Sequence, residues 1–158
     1  MAKKKKSNLN IVANNRKARH NYFIISNVEA GIVLRGTEIK SIRTGRSSID
    51  ESYASEEDGE LFLINSYIPE YQSASYNQHE TRRSRKLLLN KKELVKMINS
   101  VNREGATIVP LSLYFNKRGI LKVDLGLAKG KRQYDKRQTN KDRDWKRNQA
   151  RIMRNKNV

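Results

Sequence analysis

The two-residue period of a half-buried strand dominates the second half of the chain. Leu121, Val123, Leu125 and Leu127 alternate with Lys122, Asp124, Gly126 and Ala128, so one face of this segment is apolar. Val109, Leu111, Leu113 and Phe115 carry the same period upstream, and Asn116-Lys117-Arg118-Gly119 between the two runs is a short polar connection ending in glycine. The pair predicts a β-hairpin. Asp58-Gly59 predicts a second one, joining residues 49–55 to residues 61–67. Residues 22–34 contain Tyr22-Phe23-Ile24-Ile25 and Gly31-Ile32-Val33-Leu34, which predict two strands or one long bent strand.

The period changes after Asn90. Leu94, Val95, Ile98 and Val101 fall at i, i+1, i+4 and i+7, one face of a helix over residues 91–103. Asn90 with Glu93 forms a variant capping box, and Gly105 suits the terminating position. A shorter helix is predicted over residues 38–43, closed by Gly45. The resulting fold class is mainly β with a few helices, a small antiparallel β-barrel. An oligonucleotide-binding (OB) barrel is the leading candidate, and strand counting alone does not separate it from an SH3-like one.

Charge changes this picture at both ends. Residues 1–20 carry seven cations and no acid, residues 131–158 carry eleven cations against three aspartates, and the 110 residues between hold only +3 of the +18 total. Three parts follow: a basic, disordered arm over residues 1–10, a barrel over 11–130, and a basic tail over 131–158. The tail has too few apolar residues to offset its ordering entropy, so it is expected to be disordered when free. Asp142 with Lys146, and Trp145 with Ile152, are spaced for a helix that forms on a partner.

A near-neutral body between basic ends points to a polyanion, and nucleic acid in particular. The chain lacks cysteine, which excludes disulfides and thiolate metal sites and fits a reducing, cytoplasmic setting. No apolar run approaches the roughly 20 residues that span a bilayer, and neither basic end is a good amphipathic membrane helix. A metal-independent ribonuclease could use His20 or His79 with a glutamate. Against it, there is no H-E-x-x-H, phosphate loop, D-x-D cluster or nucleophile elbow. His79, in a polar stretch, reads as a solvated loop residue. A structural ribosomal protein is the other alternative.

Arg82-Arg83-Ser84-Arg85-Lys86 leads into Leu87-Leu88-Leu89, so these cations stand at a strand entry where they could follow a phosphate backbone. Tyr22, Tyr53, Tyr134 and Trp145 could stack on unpaired bases, with core packing the competing role for the first two. The cations of residues 3–6 read as a generic electrostatic aid.

Six strings then stand in order along the chain: 15–24 (NRKARHNYFI), 29–32 (EAGI), 36–41 (GTEIKS), 85–90 (RKLLLN), 101–105 (VNREG) and 128–131 (AKGK). Tyr134-Asp135-Lys136-Arg137 extends the series into the tail. In this order and spacing the chain resembles the SsrA-binding protein family of bacterial trans-translation, from about Ile11 to Met153. The resemblance implies an OB-type barrel that binds the transfer-RNA-like domain of transfer-messenger RNA. It also implies a tail that enters the empty messenger channel of a stalled ribosome as a helix, near the decoding centre and its ribosomal RNA. It implies no catalysis, cofactor, metal or small-molecule substrate.

The family's RNA-binding positions match Glu29, Leu88 and Asn90, to which the local reading adds Arg19, His20, Tyr22, Arg82, Arg83, Arg85 and Lys86. Its tail determinants match Gly130, Asp135, Lys136, Arg137, Trp145, Ile152 and Met153, with Lys131 beside them and Tyr134 where an aromatic or histidine can stack. Asn90 is both the expected N-cap and an implied RNA contact. Glu29 fits an RNA site if it accepts from a base edge or orients an arginine, and Leu88 fits either a base contact or the barrel core. Asn140 departs from the family pattern, which is usually apolar there.

Overall fold

The structure is a computed structural model, and it describes residues 10–156. The lysines of residues 3–6 therefore lie outside the described residues. Eleven elements follow in order: β1 (Asn10–Asn14), α1 (Arg16–Asn21), β2 (Tyr22–Ile32), α2 (Gly36–Thr44), β3 (Tyr53–Glu57), β4 (Glu60–Ile64), β5 (Arg85–Leu88), α3 (Lys91–Glu104), β6 (Thr107–Phe115), β7 (Leu121–Gly130) and α4 (Gln133–Lys156).

The strands close on themselves. All pairings are antiparallel, and the circuit runs β3-β4-β5-β2-β7-β6 and back to β3. Alternation explains the interior: Leu61, Leu63, Leu87, Ile108, Leu113, Val123 and Leu125 are buried together, with their neighbours along each strand turned outward. α3 lays Leu94, Met97, Ile98 and Val101 against this core. Closure is uneven. β6 meets β7 along its length, but its other edge is divided between β3, through Ala54 opposite Ile108 alone, and β1 opposite residues 112–115. Pro110 lies at the changeover, where a residue without an N–H costs the ladder least. Asn15 bridges this point, its Nδ2 donating to the carbonyls of Pro110 at 3.0 Å and Ile49 at 3.2 Å.

Both predicted hairpins form. The Asp58-Gly59 turn has φ of 52° and 78°, the left-handed pair that a two-residue connection requires. Residues 22–32 are one long strand with a register shift between Ile24 and Ser26. α2 and α3 fall where expected, closed at Gly45 and by the left-handed Gly105. β1 and α1 have no periodic signature. α1 covers an outer patch of Val109, Leu111 and Ala128 with Ala18, packed also by Tyr22 and Ile24.

The tail is a helix, the form expected of it on a partner, and residues 140–155 are all exposed. No glycine or proline interrupts it, its lysines, arginines and glutamines are good helix formers, and Asp135 accepts from the Arg132 N–H at its start. Its backbone is satisfied within the helix, so no apolar burial is needed.

Candidate nucleic-acid interface

Strand register places Glu29, Leu88 and Asn90 along one outward stripe. Gly31 pairs with Leu88, Glu29 lies two residues back on the same face of β2, and Asn90 follows two residues beyond Leu88. Gly31 lets the two strands carry Leu88 close by: a Cβ would come 3.3 Å from the Leu88 Cβ, tight enough to make Leu88 shift. Leu88 is 50% exposed, so it is not a core residue. Asn90 occupies the N-cap of α3 but makes no side-chain bond to the helix, so its amide does not complete the predicted capping box.

Glu29 is restrained from behind. Tyr114 reaches across β7 and donates its hydroxyl to the Glu29 carboxylate, while Asp124 faces Glu29 on the neighbouring strand and accepts from Asn27 at 3.3 Å. Burial, the bond to Glu29 and the nearby negative charges of Glu29 and Asp124 all push the Tyr114 phenol above its usual pKa. The phenol thus remains a donor, and Glu29 is held as an acceptor at the surface. Sequence alone does not single out Tyr114, because its partner lies 85 residues away.

The basic run 82–86 divides into unlike parts. Arg85 is fully buried, and its guanidinium bonds Glu38 at 2.9 Å, Ser66 through both carbonyl and hydroxyl at 2.8 Å, and the carbonyls of Arg83 and Thr81. It cannot meet a phosphate, which corrects its place among the RNA contacts. Arg83 holds the other side of Glu38, at 2.7 and 3.1 Å. Lys86 pairs with Glu60 at 2.7 Å, and Arg82 lies over the Tyr67 ring at 5.5 Å while bonding Asn65. Of this run, Arg82 is exposed and its contacts here are to neutral groups, which leaves its charge open to a phosphate.

Glu38 is the hub of this segment. Burial alone would raise its pKa, but the Arg83 hydrogen bond, the Arg35 N–H and the charges of Arg85 and Arg83 outweigh it and hold the carboxyl below the ordinary range. Together they tie α2 to the 20 residues between β4 and β5. His79 belongs to the same seam. It is buried rather than solvated, its Nε2 at 3.2 Å from the Ile68 carbonyl and its Nδ1 at 3.0 Å from the Thr37 hydroxyl. A polar stretch hides this because burial comes from α2, some 40 residues upstream.

His20 does not face a glutamate either. Its Nδ1 lies 3.1 Å from Asn21 Oδ1 and its Nε2 2.9 Å from Asn140 Oδ1. The acid–base pair that a histidine ribonuclease needs is thus not assembled at either histidine. Among the described residues no group of three potential metal ligands forms, and no helix is long and apolar enough to cross a membrane. Arg19 is exposed on α1, whereas Tyr22 packs on the outer apolar patch.

In the tail, Lys131 donates its backbone N–H to Asn21 and sets its ammonium 5.0 Å over the Phe23 ring. Gly130 has space for a Cβ and an ordinary φ, so its position demands no glycine on steric grounds. Tyr134, Trp145, Ile152 and Met153 are exposed, as are Arg137 and, in part, Lys136. At 100° per residue Tyr134, Trp145 and Ile152 fall on one stripe of α4, about 27 Å from first to last.

Comparison with known proteins shows which chains this one is similar to. The family profile described as "SmpB protein" matches residues 12–155. An SsrA-binding protein of Paramagnetospirillum magneticum is 56% identical over 146 residues, covering 92% of this chain and 95% of its own. One from Orientia tsutsugamushi (strain Boryong) is 58% identical over the same length and coverage. A solved structure described as "tmRNA-SmpB: a journey to the center of the bacterial ribosome" is similar with a TM-score of 0.63 and 52% identity, over 76% of this chain and 84% of that one.

Proposed function

Because the chain belongs to the SmpB protein family, we propose that it is a non-enzymatic RNA-binding factor of trans-translation. It binds the transfer-RNA-like domain of transfer-messenger RNA and accompanies it to stalled ribosomes in the cytoplasm. The observation that carries this reading is the division of the molecule into a closed barrel with a restrained polar stripe and a protruding basic helix.

On the barrel, Glu29 accepts from a base edge or sugar hydroxyl, Leu88 packs against an unstacked base, and Asn90 offers an amide that both donates and accepts. Arg19 and Arg82 supply phosphate contacts that position the RNA without reading its sequence. Lys131 and Arg132 with the nine cations of α4 follow the ribosomal RNA of an empty messenger channel, with Tyr134 placed to stack and Trp145 and Ile152 to pack.

Removal of residues 131–158 tests the division. RNA affinity should change by roughly twofold or less, since the barrel keeps its phosphate and base contacts, while tagging on stalled ribosomes should be abolished. Equal loss of both would refute it.

A further inference from the structure

The base and the distal part of α4 differ in one respect that its sequence does not disclose. Residues 135, 136 and 139 are half-buried, whereas every residue from 140 to 155 is exposed. The base is tied to α1 at several points. Lys131 donates its backbone N–H to the Asn21 carbonyl at 2.8 Å, and its ammonium reaches the Arg19 carbonyl at 3.3 Å and Thr139 Oγ1 at 3.4 Å. At the next residue of the helix, His20 spans from Asn21 to Asn140, an imidazole nitrogen at each amide.

The backbone bond and the contact to the Arg19 carbonyl lie at the pivot and fix where the helix begins, and the Lys131–Thr139 contact, at 3.4 Å, runs within the tail itself. A direction needs a second point held from outside the tail. His20 and Asn140 supply it, nine residues or about 14 Å along the chain from Lys131 if counted at helical rise. Without them, rotation about residues 130–132 would sweep the distal stripe of Trp145 and Ile152 through a wide arc. α1 is in turn held in place, its Ala18 buried on the barrel and its Asn15 cap bonded to Pro110 of β6 and to Ile49 between α2 and β3.

We infer that His20 is a positioning residue for the tail helix: through Asn140 it sets the direction in which α4 leaves the barrel. This assignment rests on the reading of the tail as a ribosome probe for its functional consequence, but not for its geometry. It also gives Asn140, the departure from the family's usual apolar residue, a partner that an apolar side chain could not bond in this way.

The geometry is tested in the full-length chain alone. Nitroxide labels are placed through Glu57→Cys and Arg147→Cys, both exposed and in a chain with no other cysteine, and the distance distribution is read by double electron–electron resonance. His20→Ala and Asn140→Ala should each broaden it, the double variant should broaden it no further than the worse single, and His20→Gln should recover much of the narrow form. An unchanged distribution in both singles, or additive broadening in the double, overturns the assignment. The consequence is tested with Asn140→Ala, which should lower tagging on stalled ribosomes roughly 3- to 10-fold, the worth of one hydrogen bond, with transfer-messenger RNA affinity unchanged. A parallel fall in RNA affinity would instead make this junction an RNA contact and overturn the inference. Because the distance measurement uses neither RNA nor ribosome, failure of the functional reading would leave it interpretable.

Discussion

Glu38 shows how a single side chain can matter more to this protein than any of its exposed cations. With both Glu38 and Arg85 fully buried, Glu38→Gln leaves a guanidinium without its counter-charge, and unfolding by urea should show a loss of about 3–5 kcal/mol. The carboxyl is held below its ordinary pKa, so its stabilisation is complete above the unfolded value and fades as pH falls through the folded one. The wild type should therefore lose stability below about pH 4.5 in part through this group, and the Gln variant should lack that component. Tyr114→Phe removes the donor behind Glu29. It should cost about 1 kcal/mol of stability or less and weaken RNA binding several-fold, whereas unchanged RNA affinity would mean that Glu29 needs no restraint. Neither Glu38 nor Tyr114 is legible in the sequence, because each acquires its role from partners 45 to 85 residues distant. Glu29, Leu88 and Asn90 come from family resemblance, and only the register of β2 with β5 brings them onto one stripe.

Elements with a local signal are legible in the sequence, and those without one are not. The Asp58-Gly59 and 116–119 turns carry their own backbone requirements, and the α3 stripe ends at a glycine with φ of 64°. Gly105→Ala should thus destabilise by about 1 kcal/mol, measured as a lowered melting temperature, although space for the methyl group is present. β1 and α1 are five and six residues long and take their order from long-range pairing, so no periodicity announces them, whereas β5 is announced by its run of leucines. The tail helix escapes a burial-based reading for the opposite reason: a continuous helix satisfies its own backbone and forms without an apolar face to cover. Trp145→Ala should accordingly leave the melting temperature within about 1 °C, since an exposed side chain contributes little to folding, and still reduce tagging on stalled ribosomes.

At the scale of the whole molecule, charge and specificity occupy different places. The +7 of residues 1–20 acts beside the barrel and the +8 of the tail acts apart from it, while the restrained stripe lies on a body near neutrality. Changing Arg16, Lys17 and Arg19 to glutamine should flatten the dependence of log affinity on log salt by roughly 0.7–0.9 for each phosphate no longer neutralised; the same change at Arg85 should act through stability and leave that slope alone. The closed circuit of strands has a further consequence. It is fastened between β3 and β6 by the Ala54–Ile108 pair alone, with Ile98 and Val101 of α3 beside it. A ring clasped at one pair has a preferred way to come undone: the β3–β4 hairpin swings out on β5 while β2, β7 and β6 stay laced together. Amide hydrogens of residues 53–57 should then exchange with solvent before those of residues 121–128, so that slow breathing of the barrel is directed away from the stripe of Glu29, Leu88 and Asn90.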